Sequence, residues 1–152
     1  LIVRICELAG AAPPPAAATA ELFARFAEPA AWRLFPEVPE TLAALAAAGV
    51  RLAVVSNWDE RLPLLLDRLG LAARFRAIVT SAAVGWEKPH PAIFARAVAA
   101  LGVAPEEVVH VGDDRREDVA GARAAGLQAL HLDRGGEGDL ASLAELPGWL
   151  GI

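Results

Sequence analysis

Methionine and tyrosine are absent from this 152-residue chain, and cysteine occurs once. The lone Cys6 cannot close an internal disulfide, and no Cys or His spacing matches a zinc site, so a reducing, cytoplasmic setting is expected. Cys6 itself reads as a small buried hydrophobe. No run of eighteen or more apolar residues occurs, and no basic segment leads into a small-residue cleavage site. Neither a membrane span nor a secretory leader is therefore expected. Lys and Arg are scattered singly or in pairs in a chain of net charge −5. Without a basic stripe, nucleic-acid binding is excluded as a default, because phosphate contacts need clustered positive charge. The chain starts at Leu1 without any Met, and its natural start is expected upstream. One further absence concerns chemistry: no apolar run ends in Asp-x-Asp.

Hydrophobic residues, many of them Ala, make up 55% of the chain and charged residues 22%, a globular composition. A chain of this length can bury about two thirds of its unfolded surface and needs no disulfide or metal to hold a core. Residues 1–30 differ in character from the rest. Leu1 to Leu8 could end a helix, Gly10 and Pro13-Pro14-Pro15 break it, Thr19 to Phe26 can form another, and Pro29 closes that stretch. From Trp32 onward, apolar runs alternate with helical stripes, the pattern of a parallel sheet with crossover helices. Strands are predicted at Arg51–Ser56, Arg76–Thr80, Val108–Val111 and Leu127–Leu132. Between and before them, helices are predicted over Glu40–Ala48, from an Asp59 cap to Gly70, over Pro91–Leu101 and over Asp118–Ala125. Gly49, Gly70, Gly102 and Gly126 follow as stops. With right-handed crossovers this is an α/β, Rossmann-like doubly wound sheet, whose strand ends gather at one edge.

Three segments place polar groups at that edge. Ser56-Asn57 ends the run Leu52-Ala53-Val54-Val55, where a hydroxyl and freed backbone N–H groups could hold an oxyanion. The plain alternative is a turn in which Ser, Asn and Asp59 serve as caps. Lys88 precedes the stiff turn Pro89-His90-Pro91 and can neutralise a phosphoryl group, or it is a solvated loop lysine. His90 reads as the N-cap before Pro91 at the first helical position. Gly112-Asp113-Asp114 with Asp118 follows the third strand. Adjacent carboxylates there repel unless a cation such as Mg²⁺ compensates, although Asp114 or Asp118 could equally favour a helix N-terminus. Trp58 and Trp86 could wall a pocket or simply pack. His110 and His131 read as packed, hydrogen-bonded strand residues, and Arg115 and Arg116 as a solvated face.

With these segments in this order, the chain from about Trp32 to Asp133 resembles the haloacid dehalogenase (HAD) superfamily of hydrolases. Ser56 looks like its second motif, Lys88 like its third, and Gly112-Asp113 with Asp118 like its fourth. Val54-Val55-Ser56-Asn57 and Lys88-Pro89-His90-Pro91 look most like the branch with a helical cap between the first and second motifs. The resemblance implies that residues 1–30 are the end of that cap and residues 31–152 a HAD-like core lacking its first strand. That strand would lie between the Ser56 and Val108–Val111 strands and carry the aspartate nucleophile and its acid/base partner. The implied activity is Mg²⁺-dependent hydrolysis of a small phosphomonoester through an aspartyl-phosphate. Ser56 and Asn57 would bind substrate, Lys88 would be both a substrate contact and the catalytic residue present, and Asp113 would bind metal with support from Asp118 or Asp114. The chain by itself would be inactive, and its two unpaired strand edges would invite association. Two other readings stay open: a metal-free dehalogenase relative, which the acidic fourth segment opposes, and a non-catalytic HAD-like binding or interaction module.

Overall fold

A computed structural model describes Ala12 and residues 15–152. The readings on Cys6, on Leu1 to Leu8 and on the break from Gly10 to Pro14 lie outside the described residues. The chain divides into two compact units with the boundary between Arg33 and Leu34.

In the first unit, α1 (Ala16–Phe26) begins directly after Pro15, three residues before the predicted start. Proline is tolerated just ahead of a helix because the missing N–H has no intrahelical partner there. None of the residues of α1 is buried, and a Glu21–Arg25 pair at 3.0 Å lies along its exposed face. Trp32 Nε1–H donates to the Phe26 carbonyl at 2.9 Å, and the two rings meet edge to face with centroids 5.9 Å apart.

The second unit carries the predicted alternation. Its elements are α2 (Val38–Ala47), β1 (Ala53–Ser56), α3 (Arg61–Arg68), β2 (Ala77–Thr80), α4 (Ser81–Val84), α5 (Pro91–Leu101), β3 (Val109–Gly112), α6 (Gly121–Ala124), β4 (Gln128–His131) and α7 (Leu146–Leu150). A π-helical turn over Arg115–Ala120 leads into α6. The predicted stops hold, since Gly49, Gly70, Gly102 and Gly126 all have positive φ. His90 caps α5 as expected, its Nδ1 accepting from the Ala92 N–H at 3.2 Å. On α3, Leu62 and Leu65 of the predicted stripe are buried.

Two predictions need correction. The helix expected from Asp118 starts earlier, because Asp114 is the cap: its Oδ1 accepts from Arg116 N–H at 2.8 Å and Glu117 N–H at 2.6 Å. Asp59 is not the N-cap of α3, which is Glu60, but Asp59 Oδ1 still accepts the Arg61 N–H at 3.1 Å.

The strands form two parallel pairs, β1 with β2 and β3 with β4, and among the described residues no strand joins β1 to β3. Helices pack on both faces. On one face, Ile93, Phe94, Ala97 and Val98 of α5 and Ala122 of α6 close a core with Val79 and Ala129. On the other, Leu45 of α2 and Leu146 of α7 pack with Leu130 and Leu140. The doubly wound layering is therefore as predicted, while the continuous sheet is divided. A cavity of about 360 Å³, lined by Leu52 and Val55 on one side and Val109 and Val111 on the other, lies along the division.

Candidate active site

The C-terminal ends of β1 and β3 carry the candidate residues, and a chain of hydrogen bonds links most of them. β1 ends at Ser56, in register with Thr80 of β2. The next residue, Asn57, reaches across to the Lys88 backbone: its Oδ1 accepts the Lys88 N–H at 2.6 Å and its Nδ2 donates to the Lys88 carbonyl at 3.1 Å. The same Nδ2 also donates to Glu117 Oε2 at 2.9 Å. Lys88 in turn extends its side chain to Asp118, with Nζ 2.5 Å from Oδ1.

Asp118 is the hub. It is only 3% exposed, and Oδ1 is shared by Lys88 Nζ and by His110 Nε2 at 2.9 Å, while Oδ2 accepts the Asp114 N–H at 3.1 Å. A carboxylate oxygen accepting from an ammonium leaves His110 the donor role, so the imidazole carries its hydrogen on Nε2. Burial pushes the Asp118 carboxyl up, but the hydrogen bonds from His110, Lys88 and the Asp114 N–H outweigh it and hold the group well below the usual carboxylate range. Gly112 makes room for this arrangement, since a Cβ there would overlap the Asp118 side chain. From behind, Gly121 lets α6 approach the loop that holds Lys88: a Cβ at Gly121 would lie 2.8 Å from Pro89 Cβ and 3.1 Å from the Phe94 ring.

The remaining acidic residues differ from Asp118. Asp114 is exposed and committed to capping the π-helical turn. Asp113 is exposed at the end of β3; its backbone carbonyl accepts from His131 Nε2 at 3.1 Å, and its carboxylate has no hydrogen bond within the described residues. The Ser56 hydroxyl is likewise without one. Among the described residues no three acidic, His or Cys groups gather as a ready-made metal cage. Trp86 is 54% exposed and stacks on His90 with centroids 3.9 Å apart, whereas the Trp58 carbonyl accepts from Ser81 Oγ at 3.1 Å. Arg115 donates to the Glu137 carbonyl at 2.8 Å.

Sequence reasoning missed Glu117; His110, read as a packed, hydrogen-bonded strand residue, is one, and its partner is Asp118. A signal for His110 existed: it alternates with Val109 and Val111 on a strand of period two, so it shares a face with Gly112, beneath Asp118. Glu117 left no such signal, because its role depends on a residue sixty positions away.

The model of haloacid dehalogenase-like hydrolases matches residues 3–126. The chain belongs to the haloacid dehalogenase-like hydrolase family. It is 42% identical over 130 residues to a phosphoserine phosphatase of Thermus thermophilus, covering 85% of this chain and 51% of that protein. It is 36% identical over 132 residues to human haloacid dehalogenase-like hydrolase domain-containing protein 3, covering 86% of this chain and 53% of that protein. A crystal structure of a HAD phosphatase from Thermococcus onnurineus superimposes with a TM-score of 0.79 at 33% identity, covering 86% of this chain and 63% of that one. The chain thus spans about half the length of the curated relatives it matches. The resemblance read from Ser56, Lys88 and Gly112-Asp113 with Asp118 is borne out as HAD family membership, and with it the α/β fold of parallel strands and helices. No helix among the described residues is long and apolar enough to cross a membrane.

Proposed function

We propose that this chain carries the phosphate-binding and charge-neutralising part of a phosphatase that acts on small phosphomonoesters in the cytoplasm. The observation that carries the reading is the fixed Lys88 ammonium, only 12% exposed on its side chain and anchored by Asp118, beside strand ends that also present the Asp113 carboxylate and the Ser56 hydroxyl, neither with a partner among the described residues. An ammonium held before the ligand arrives offsets phosphoryl charge with little reorganisation. Ser56 and the N–H groups beyond β1 are read as the phosphoryl cradle, and residues 1–30 as the end of a helical cap.

The residues fit Mg²⁺ as an ion that keeps several of its waters. Mg²⁺ is commonly held by one or two carboxylates plus substrate oxygens, and Asp113 offers one uncommitted carboxylate. Asp118, both of whose oxygens are engaged, holds Lys88 and the loop, and Asp114 caps the π-helical turn through Oδ1, so Asp113 is read as the ligand and these two as its support. Bound beside Asp113, the ion would offset negative charge on the phosphoryl oxygens. The nucleophile of this reading is an Asp-x-Asp carboxylate on an apolar strand seated between β1 and β3, along the cavity, where the strand edges have no partner among the described residues.

Two measurements test this. The chain itself should bind inorganic phosphate more tightly with Mg²⁺ than without, and Lys88→Ala should abolish that binding in calorimetry. A version extended by an apolar strand ending in Asp-x-Asp should hydrolyse p-nitrophenyl phosphate, stop with EDTA, and lose on the order of a hundredfold in turnover with Lys88→Ala. Metal-independent turnover, or turnover indifferent to Lys88, would overturn the assignment.

A further inference from the structure

Asn57 stands beside Ser56 where a ligand contact would be expected, yet its amide is fully engaged by the protein. Oδ1 accepts from the Lys88 N–H, one Nδ2 hydrogen goes to the Lys88 carbonyl and the other to Glu117. The orientation of the amide follows from these partners: turned over, it would set a donor against the Lys88 N–H and an acceptor against both the Lys88 carbonyl and the Glu117 carboxylate. Glu117 is the neighbour of Asp118 on the π-helical turn, and Asp118 holds the other end of Lys88. Lys88 is therefore gripped twice, by its backbone from the β1 side and by its ammonium from the β3 side. The two grips meet in adjacent residues of one turn.

We infer that Asn57 is a positioning residue: its amide, locked by Glu117, sets the Lys88 backbone so that the ammonium reaches the site from a fixed origin. The inference rests on the reading of Lys88 as the anion-neutralising group. A lysine side chain has four rotatable bonds, so fixing Nζ alone leaves its backbone free to drift, whereas fixing both ends leaves one geometry. The two groups also span the division between the strand pairs, since Asn57 follows β1 and Glu117 follows β3. The latch thus ties the two halves of the site together where, among the described residues, no sheet hydrogen bond does.

The test uses the chain as it is, labelled with ¹⁵N. One readout is the ¹H–¹⁵N signal of the Lys88 ammonium, visible when a lysine is held and shielded from exchange; the other is the affinity for inorganic phosphate. Asn57→Ala should erase the ammonium signal and weaken phosphate binding about tenfold, the scale of losing hydrogen bonds to a positioned group, while the backbone amide spectrum stays dispersed. Glu117→Ala should weaken both readouts in the same direction, and Glu117→Gln, which keeps an acceptor oxygen for Nδ2, should restore them. A folded Asn57→Ala protein with an unchanged ammonium signal and phosphate affinity within twofold of the parent would overturn the inference. If Asn57→Ala does not fold, the Glu117 pair decides: Ala and Gln variants both indistinguishable from the parent would overturn it. If the parent binds no phosphate, the phosphatase reading fails, and the ammonium signal alone still upholds or overturns the latch.

Discussion

The strand-end cluster and the cavity between β1 and β3 adjoin one another, yet they are opposite in kind. Around Asp118 every oxygen has a donor, the group is buried, and Gly112 is tailored to its outline. Along the cavity, apolar side chains of β1 and β3 face one another and the strand edges have no pairing partner among the described residues. The contrast teaches that the polar half of this site is organised by its own hydrogen bonds and not by continuity of the sheet. Side-chain bonds from Asn57 and Lys88 bridge a gap that backbone bonds leave open.

The largest effect that would test this contrast is at its saturated pole. Asp118→Ala strands the Lys88 ammonium and the His110 donor in a buried place and should cost about 3–5 kcal/mol in urea unfolding. A loss below about 1 kcal/mol would mean that the cluster is not organised as described. Next comes Gly112→Ala, which forces a methyl into the space of Asp118 and should cost about 1–3 kcal/mol, with the Lys88–Asp118 pair displaced.

Acid should act on the same pole. Because the Asp118 carboxyl is held below its ordinary range in the fold, its contribution is present in full above the unfolded value near 4 and is lost as pH falls below about 4. Unfolding midpoints followed from pH 7 to pH 3 should fall on that limb, and Asp118→Asn should flatten it. The smallest and most local effect belongs to the cavity. Backbone amides of β1 and β3 that point into it should exchange at least about tenfold faster than those directed at β2 and β4, without any change in global stability. Equal protection of both sets would remove the division between the strand pairs.

Much of the fold was legible because it rests on local rules. The stripes of α3 and α5, the positive-φ glycines after four helices and the apolar runs of the strands are short-range signals, and the structure follows them. Strand ends shifted by a residue or two, since pairing trims a run to the part that finds a partner: Arg51 and Leu52 precede β1, and Arg51 instead donates to the Leu101 carbonyl at 2.6 Å. The first turn after β3 was misread because two aspartates compete for one cap, and only Asp114 has the geometry to take it. Among the site residues, the positions of Ser56 and Asp113 at strand ends could be read from sequence, whereas Lys88 lies in the loop between α4 and α5, beyond the end of β2. The strand period marks the face that His110 shares with Gly112, but the hydrogen bonds that decide what Asn57 and Glu117 do depend on contacts thirty-one and sixty residues apart, and no periodicity encodes those.

Gly121 gives the site a mechanical tolerance. Its bare Cα is the surface against which Pro89 rests, with a Cβ-sized gap too small to fill at 2.8 Å. Behind Pro89 there is no slack, so any side chain grown at this position would push the loop forward by several tenths of an ångström and carry Lys88 with it. Sites that handle transferring groups are held to within about half an ångström. Gly121 therefore works as a gauge block: it touches no ligand, yet its missing atoms set how far the ammonium can stand from the strand ends.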